Sequence, residues 1–87
     1  MKSQQQVKWQ DVILTKDASA VKGKKHLELV KATASKFFGK EEKLRTKCRE
    51  SLQKEAAKIG ATIVLIQNDN FGNSPVNNVT MDGEAYQ

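Results

Sequence analysis

The residues of this sequence that could carry out chemistry are few, and they stand apart from one another. Cys48 and His26 are the single cysteine and the single histidine among 87 residues, too few for an intramolecular disulfide or a Cys/His zinc cluster. His26 follows Lys24 and Lys25, and no carboxylate or nucleophile is identifiable as its partner, which favours a surface histidine over a general base. No nucleophile-elbow motif is present. We therefore predict no catalytic residue, no cofactor and no metal site, and we expect the protein not to be an enzyme.

Cys48 has basic residues close to it in sequence, Arg45, Lys47 and Arg49, and basic neighbours can lower the pKa of a thiol. The same cysteine also falls on one stripe with Leu44 and Leu52, at the four-residue spacing of a helix face. That position favours a small buried hydrophobe over a reactive thiol.

The densest polar stretch is "QNDNFGN", residues 67–73, and it raises the question of a ligand-binding loop. It fails as an EF-hand loop, because the glycine is misplaced and the final position falls on Val79 or Thr80 instead of glutamate. Asn, Asp and Gly favour turns, and Pro75 would stiffen the chain's return. We therefore predict a loop over residues 68–78 that connects two antiparallel strands. If the protein has a partner-specific surface, the candidate residues are Asn68, Asp69, Asn70, Phe71 and Asn73.

The charge is unevenly distributed along the chain. Residues 1–59 carry 15 basic and 7 acidic residues, whereas residues 60–87 carry 3 acidic residues and no basic one. The net charges of the two segments are therefore +8 and −3. Such a split can mark a polyanion-binding face, although scattered lysines more often form a solvated surface. "VKGKKH" lacks the phosphate-loop pattern, and the aromatic residues form no recognised RNA-binding motif. Polyanion or nucleic-acid binding is therefore the alternative interpretation.

A helix over residues 41–59 is the clearest element. Glu41 and Glu42 place negative charge in its first turn and Lys58 places positive charge in its last, as the helix dipole favours. Gly60 suits the left-handed position after a helix end. The apolar residues recur at spacings of four and three on one face, and they are Leu44, Cys48, Leu52, Ala56 and Ile59.

Two strands are predicted after this helix. "ATIVLI", residues 61–66, is a continuous apolar run typical of a central strand. "VTMDGEAY", residues 79–86, alternates, which predicts a strand with one buried face. Gly83 inside that strand indicates a bulge or a close approach of backbone. The expected buried set is Val79, Met81, Gly83 and Ala85.

The first third of the chain gives weaker signals. In "VKWQDVILT", Val7 and Trp9 share one parity and Val12 and Leu14 share the other, so we predict a strand with a bulge near Asp11. The segment that begins at residue 26, "HLELVKATASKFF", fits both a helical stripe and a strand alternation. The residue pattern leaves both structures open.

The segment "EEKLRTKCRESLQKEAAKIGATIVLIQ" with the later "GEAY" resembles small bacterial envelope domains that include the YbjQ-like family and the sensor lipoprotein of the Rcs envelope-stress pathway. The resemblance covers about residues 21–87 and rests on the Gly60-Ala61 pair at the helix end and the Gly-x-Ala segment at Gly83 to Ala85. Thr62 departs from the family, in which Asn is frequent at this place. The paired cysteines of the Rcs sensor are also missing, so its sensor function does not transfer.

The resemblance implies a strand ahead of the helix, and hence an α+β fold: a small, mainly antiparallel sheet packed on one helix, in the order β-β-α-β-β. We predict a single domain over residues 7–87 after a disordered segment over residues 1–6. The longest apolar run, residues 63–66, is far below the roughly 18 residues of a membrane-spanning helix. No signal-peptide core follows Met1.

The expected function is that of a small, non-catalytic, envelope-associated structural or protein-interaction domain, derived from a lipoprotein. We expect a protein partner and, as the resemblance implies, homo-oligomers; no small-molecule substrate is identified, and nucleic acid is disfavoured. Contact with a membrane would need an anchor absent from this chain. The expected location is the bacterial periplasm or cell envelope, with the cytoplasm as the alternative.

Overall fold

The computed structural model describes residues 8–36, 40–72 and 76–87. It contains strands β1 (Ile13–Thr15) and β2 (His26–Lys36), helix α1 (Glu41–Lys58), and strands β3 (Ile63–Gly72) and β4 (Asn77–Tyr86). Short 3₁₀ turns at Trp9–Asp11 and Ala18–Val21 precede and follow β1. The α+β class is confirmed, with one helix packed on a sheet; the element order differs from the prediction by the two 3₁₀ turns beside β1.

The four strands form one mixed sheet in the order β1-β3-β4-β2. β4 pairs antiparallel with both β2 and β3, and β1 pairs parallel with β3. The antiparallel pairs are long and the parallel pair covers only three residues on each strand, so the sheet is mainly antiparallel.

Helix α1 lies on one face of this sheet. Its stripe of Leu44, Cys48, Leu52 and Ala56 is buried, which confirms the helical periodicity. From the sheet, alternate residues of each strand meet this stripe, since a strand presents every second side chain to the same face. The buried residues of the sheet and its flanks in this core are Val12, Val30, Ala32, Ala61, Val64, Val79, Met81 and Ala85.

The end of α1 is fixed by backbone geometry. Gly60 has φ of 81°, and its N–H donates to the Ala57 carbonyl while the Ala61 N–H donates to the Ala56 carbonyl, each at 3.0 Å. These bonds satisfy carbonyls that the helix itself leaves without partners. The predicted stop at Gly60 is confirmed.

The ambiguous segment from residue 26 is a strand as far as Lys36. It pairs with β4 from His26↔Tyr86 to Lys36↔Asn77, with an irregularity between His26 and Glu28. Val30 and Ala32 face α1 and are buried. The segment therefore adopts the strand that its alternating pattern indicates and not the helix that its apolar stripe would allow. Phe37 and Phe38 lie outside the described residues.

The predicted bulged strand at residues 7–15 is wrong in its first half. The Asp11 N–H donates to the Lys8 carbonyl at 2.9 Å, and the Val12 N–H donates to the Trp9 carbonyl at 3.2 Å. A 3₁₀ turn therefore produces the change of parity that suggested a bulge. Val7 lies outside the described residues.

The predicted loop over residues 68–78 is also too long. β3 continues through Gly72, with Asp69 opposite Met81 and Phe71 opposite Val79. Cross-strand pairing with β4 and the packing of Phe71 on the core outweigh the turn preference of the amides. β4 begins at Asn77, and Asn73 lies outside the described residues.

Candidate interaction site

The face of the sheet that does not contact α1, which we call the open face, carries a cluster of polar side chains. A shallow depression of about 450 Å³ lies there, lined by Leu29 and Lys31 of β2, Gln67 and Asn68 of β3, and Asp82 and Glu84 of β4. These residues meet because the β3–β4 and β2–β4 registers place Asn68 and Lys31 on either side of Asp82. The depression thus draws on three strands.

Hydrogen bonds hold the polar groups of the open face in place. Asn68 Nδ2 donates to Asp82 Oδ1 at 2.9 Å, and Gln67 Nε2 donates to Glu84 Oε2 at 3.3 Å. His26 Nε2 lies 3.0 Å from Glu84 Oε1. The His26–Glu84 pair could not be predicted from local sequence, because 57 residues separate the two and the contact is created by β2–β4 pairing.

A histidine beside a carboxylate can transfer protons, so the pair of His26 and Glu84 is a candidate for acid–base chemistry. In the described part of the chain, the amide of Gln67 bonds Glu84, and the ring of Tyr86 meets the His26 ring edge-on with centroids 5.2 Å apart. Neither neighbour is an activated nucleophile, and the depression is open to solvent. The arrangement offers hydrogen-bond donors and acceptors to a bound partner.

The outer edge of β2 borders the open face. β2 is 11 residues long and, within the described parts of the chain, pairs with β4 alone, so the backbone groups along its other side face outward. Leu29, beside the depression, is 70% exposed. An exposed backbone edge with an apolar side chain next to it is the arrangement that strand addition uses.

Asp69, one of the predicted partner-loop residues, lies instead on the helix side of β3. Its carboxylate pairs with the Arg45 guanidinium of α1, and its other oxygen lies 3.4 Å from Lys16 Nζ. Arg45 also bonds Glu41 at 2.8 Å, and this bond, with help from Asp69, raises the Arg45 pKa above its usual value. Asp69 therefore connects the helix, β3 and the segment after β1.

The other candidates of the predicted loop separate in the structure. Asn68 and Asn70 are exposed on the open face, whereas Phe71 is half-buried against the helix-side core. Side chains on opposite faces of a sheet cannot contact one partner surface together. Of the predicted group, Asn68 is brought into the depression.

Cys48 is fully buried, and its thiol donates to the Ala32 carbonyl at a sulfur–oxygen distance of 3.3 Å. Burial raises the pKa of this thiol and outweighs the opposing effects of a backbone hydrogen bond with Met81 and of the charges of Arg45 and Arg49. The thiol is consequently protonated and out of reach of solvent, as the helical stripe predicts.

A second depression, of about 520 Å³, lies where β2 ends and α1 begins. It is basic, with Lys36 from the strand and Lys40, Lys43 and Lys47 from the start of the helix around Glu42 and Leu44. The sequence showed these lysines only as part of a general positive charge. The fold gathers them on one side of the molecule.

Within residues 8–36, 40–72 and 76–87, no three His, Cys, Asp or Glu side chains are grouped so that they could hold a metal ion. In the same residues no helix has the length and apolar character needed to cross a membrane. No protein-family model matches the sequence, and no curated protein matches it either.

Proposed function

We propose that the protein is a non-catalytic protein-interaction domain of the bacterial cell envelope, derived from a lipoprotein, and that it binds its partner along the outer edge of β2. The observation that carries this proposal is the outer edge of the 11-residue strand β2, which no other strand of the described residues covers and beside which Leu29 is exposed. The envelope location rests on the resemblance of residues 21–87 to envelope domains.

The other end of the sheet is a poorer binding edge. β1 has only three residues, and such a short edge strand gives little length for pairing with another chain. Beyond β1, the edge of β3 is flanked by the ion pair of Lys16 with Asp69. β2 is therefore the edge with the length and the exposed apolar side chain that a partner strand needs.

A site-specific photo-cross-linker tests this proposal in bacteria that express the complete gene product. We expect discrete protein adducts with the cross-linker at position 29 and none with it at Ser51, an exposed position on α1. The cross-linked peptide should contain residue 29. The absence of adducts at position 29, with the protein folded and expressed, would contradict the binding role.

The location is tested separately by fractionating the same cells. We expect the protein in the envelope fraction, together with the adducts formed at position 29. Recovery in the cytoplasmic fraction would refute the envelope assignment and leave the interaction role to be judged by the cross-links alone.

Polyanion binding is the second candidate function, and the basic depression favours it. Four lysines line that depression with one acidic residue, Glu42, and phosphates bind such clusters in a salt-dependent manner. If the depression binds nucleic acid, Lys43→Gln and Lys47→Gln should each weaken retention on single-stranded DNA and reduce its salt dependence. Lys22→Gln, which replaces an exposed lysine outside the depression, is the control. Unaltered retention in the first two variants would exclude this candidate.

A further inference from the structure

We propose that the partner at the β2 edge is a second copy of this chain, and that the two β2 strands pair antiparallel about a twofold axis at Ala32. This inference names the partner of the edge described above and therefore rests on the proposed function. It specifies the register of the pairing, which is fixed by the geometry and charges of β2.

The regular part of β2 is centred on Ala32. The irregularity between His26 and Glu28 interrupts the pairing with β4, and from Glu28 to Lys36 the register runs without a break. A bulge bends and twists a strand and so ends a regular edge. Pairing about Ala32 aligns the whole regular segment of one copy with the whole regular segment of the other.

The two ends of this segment carry opposite charges on the same face. Glu28 lies opposite Ala85 and Lys36 lies opposite Asn77, so both side chains belong to the alternate set that contains the helix-facing Val30 and Ala32. In the proposed register, Glu28 of each copy stands directly opposite Lys36 of the other. Opposite charges at directly opposed positions stabilise an antiparallel pair, and symmetry supplies the contact twice.

The alternative registers lose this complementarity. A shift that pairs even-numbered with odd-numbered residues sets the helix-side face of one copy against the open face of the other. With the axis at Lys31, two lysines oppose each other, which is unfavourable. With the axis at Thr33, Lys36 opposes Val30 and Glu28 lies beyond the paired segment. The register about Ala32 places Lys31 opposite Thr33 and leaves no like charges opposed between residues 28 and 36.

The basic depression adds to the complementarity. Lys36 lines it together with Lys40 and Lys43, so a Glu28 carboxylate from the second copy would approach a group of lysines. Lys31, in contrast, discourages indiscriminate pairing, as charged side chains on edge strands commonly do. The edge is thus suited to one register of one partner.

The proposal is tested with variants in which the charge at position 28 or 36 is reversed. Light scattering of the full chain over a range of concentrations measures how strongly each variant dimerises. We expect a concentration-dependent dimer that Glu28→Lys and Lys36→Glu each weaken about tenfold, because either change opposes like charges at two places. An equimolar mixture of these variants should form a heterodimer as strong as the original dimer, since every opposed pair is again complementary. The double variant should likewise regain the homodimer.

The matched controls are Glu55→Lys and Lys58→Glu, which make the same charge changes in an exposed ion pair on α1. They should leave the dimer unchanged. Circular dichroism of each variant shows whether it is folded, and an unfolded single variant is replaced by Glu28→Gln or Lys36→Gln, which should give a smaller loss in the same direction.

A second measurement tests the register without relying on charge. In a Cys48→Ala background, Lys31→Cys mixed with Thr33→Cys should form a disulfide-linked heterodimer on mild oxidation, because opposed residues of an antiparallel pair lie within disulfide range. Neither cysteine variant alone should link as efficiently, since its thiols would not be directly opposed.

The outcomes separate this inference from the proposed function. A monomer at every concentration overturns the dimer. If a dimer forms but the mixed charge variants give no strong heterodimer and the two cysteine variants give no disulfide-linked heterodimer, the proposed register is wrong. If the protein is monomeric but position 29 cross-links to other proteins, the proposed function stands and this inference fails. If no adducts form either, both fail.

Discussion

Gly83 of β4 lies so close to Leu65 of β3 that a Cβ atom at Gly83 would stand 2.4 Å from the Leu65 carbonyl oxygen. Gly83 is paired with Ile66, and the register of β3 shifts directly afterwards, between Ile66 and Asn68. The sequence predicted a bulge or a close backbone approach at this glycine. The close approach occurs at Gly83 itself, whereas the extra residue of the bulge is Gln67 in the partner strand β3 and not a residue of β4.

We expect Gly83→Ala to lower the free energy of unfolding by about 1–3 kcal/mol, because the contacted atom belongs to a backbone that must move. Urea denaturation measures the change. Gly72→Ala is the control, since its Cβ would meet the Asn78 side chain at 3.3 Å and that side chain can rotate away. Equal losses in the two variants would contradict the role of the backbone contact.

Cys48 should react slowly with a thiol reagent in the folded protein, because burial excludes the reagent and raises the pKa of the thiol. The rate should approach that of an exposed cysteine only in denaturant. Labelling followed by mass spectrometry gives both rates. Equal rates in the presence and absence of denaturant would show that the thiol is accessible.

The raised pKa of Cys48 also gives a pH dependence of stability. The folded state disfavours the thiolate, so the stabilisation is fully present below the unfolded pKa of about 8.5 and is lost as the pH rises through the higher folded value. Urea denaturation from about pH 8 to 10 should show stability falling. In Cys48→Ala, which has no thiol to ionise, this part of the slope should disappear; an unchanged slope would assign it to other groups.

Arg45→Met should reduce stability by about 1 kcal/mol, because it leaves the Asp69 carboxylate, whose side chain is only 10% exposed, without its main partner. Lys16→Met should cost less, since the Lys16 side chain is 69% exposed. Thermal and urea denaturation at low salt measure both. A larger loss in Lys16→Met than in Arg45→Met would mean that Lys16 is the principal partner.

Leu29→Gln should leave stability within about 0.5 kcal/mol of the original, as expected for an exposed position. It should nevertheless weaken association at the β2 edge, because this side chain supplies apolar surface to that contact. Ile13→Gln, an exposed apolar residue of β1 that is 58% exposed, is the matched control and should leave association unchanged. Light scattering compares the three proteins.

Local periodicity was sufficient to predict the elements whose burial follows from their own sequence. The stripe through Leu44 and Leu52, the stop at Gly60, and the alternation through Val79 and Met81 all correspond to the observed helix and strand. In each element, the spacing of the apolar residues indicates which side chains are buried. The hydrophobic effect then favours the helix or strand whose periodicity places those side chains on one face.

The residue pattern did not predict the structure where a partner strand or a turn determines it. The amides at Asn68 and Asn70 have turn preferences, yet β4 supplies a register that keeps them in β3. Near Asp11 the sequence contained a parity change but not its cause, which is a 3₁₀ turn. The sequence around Val30 fits both the periodicity of a helix and that of a strand. Pairing with β4 determines that the segment is a strand.

The sequence by itself determined the helix, the buried strand that follows it, the last strand and the absence of a Cys/His cluster, since these depend on residue type and spacing along the chain. Only the tertiary structure decided that His26 meets Glu84, that Asp69 meets Arg45, and that four lysines line one depression. It also decided that β2 is an edge strand. These are relationships between residues distant in sequence, and strand register and helix packing create them when the chain closes into a sheet.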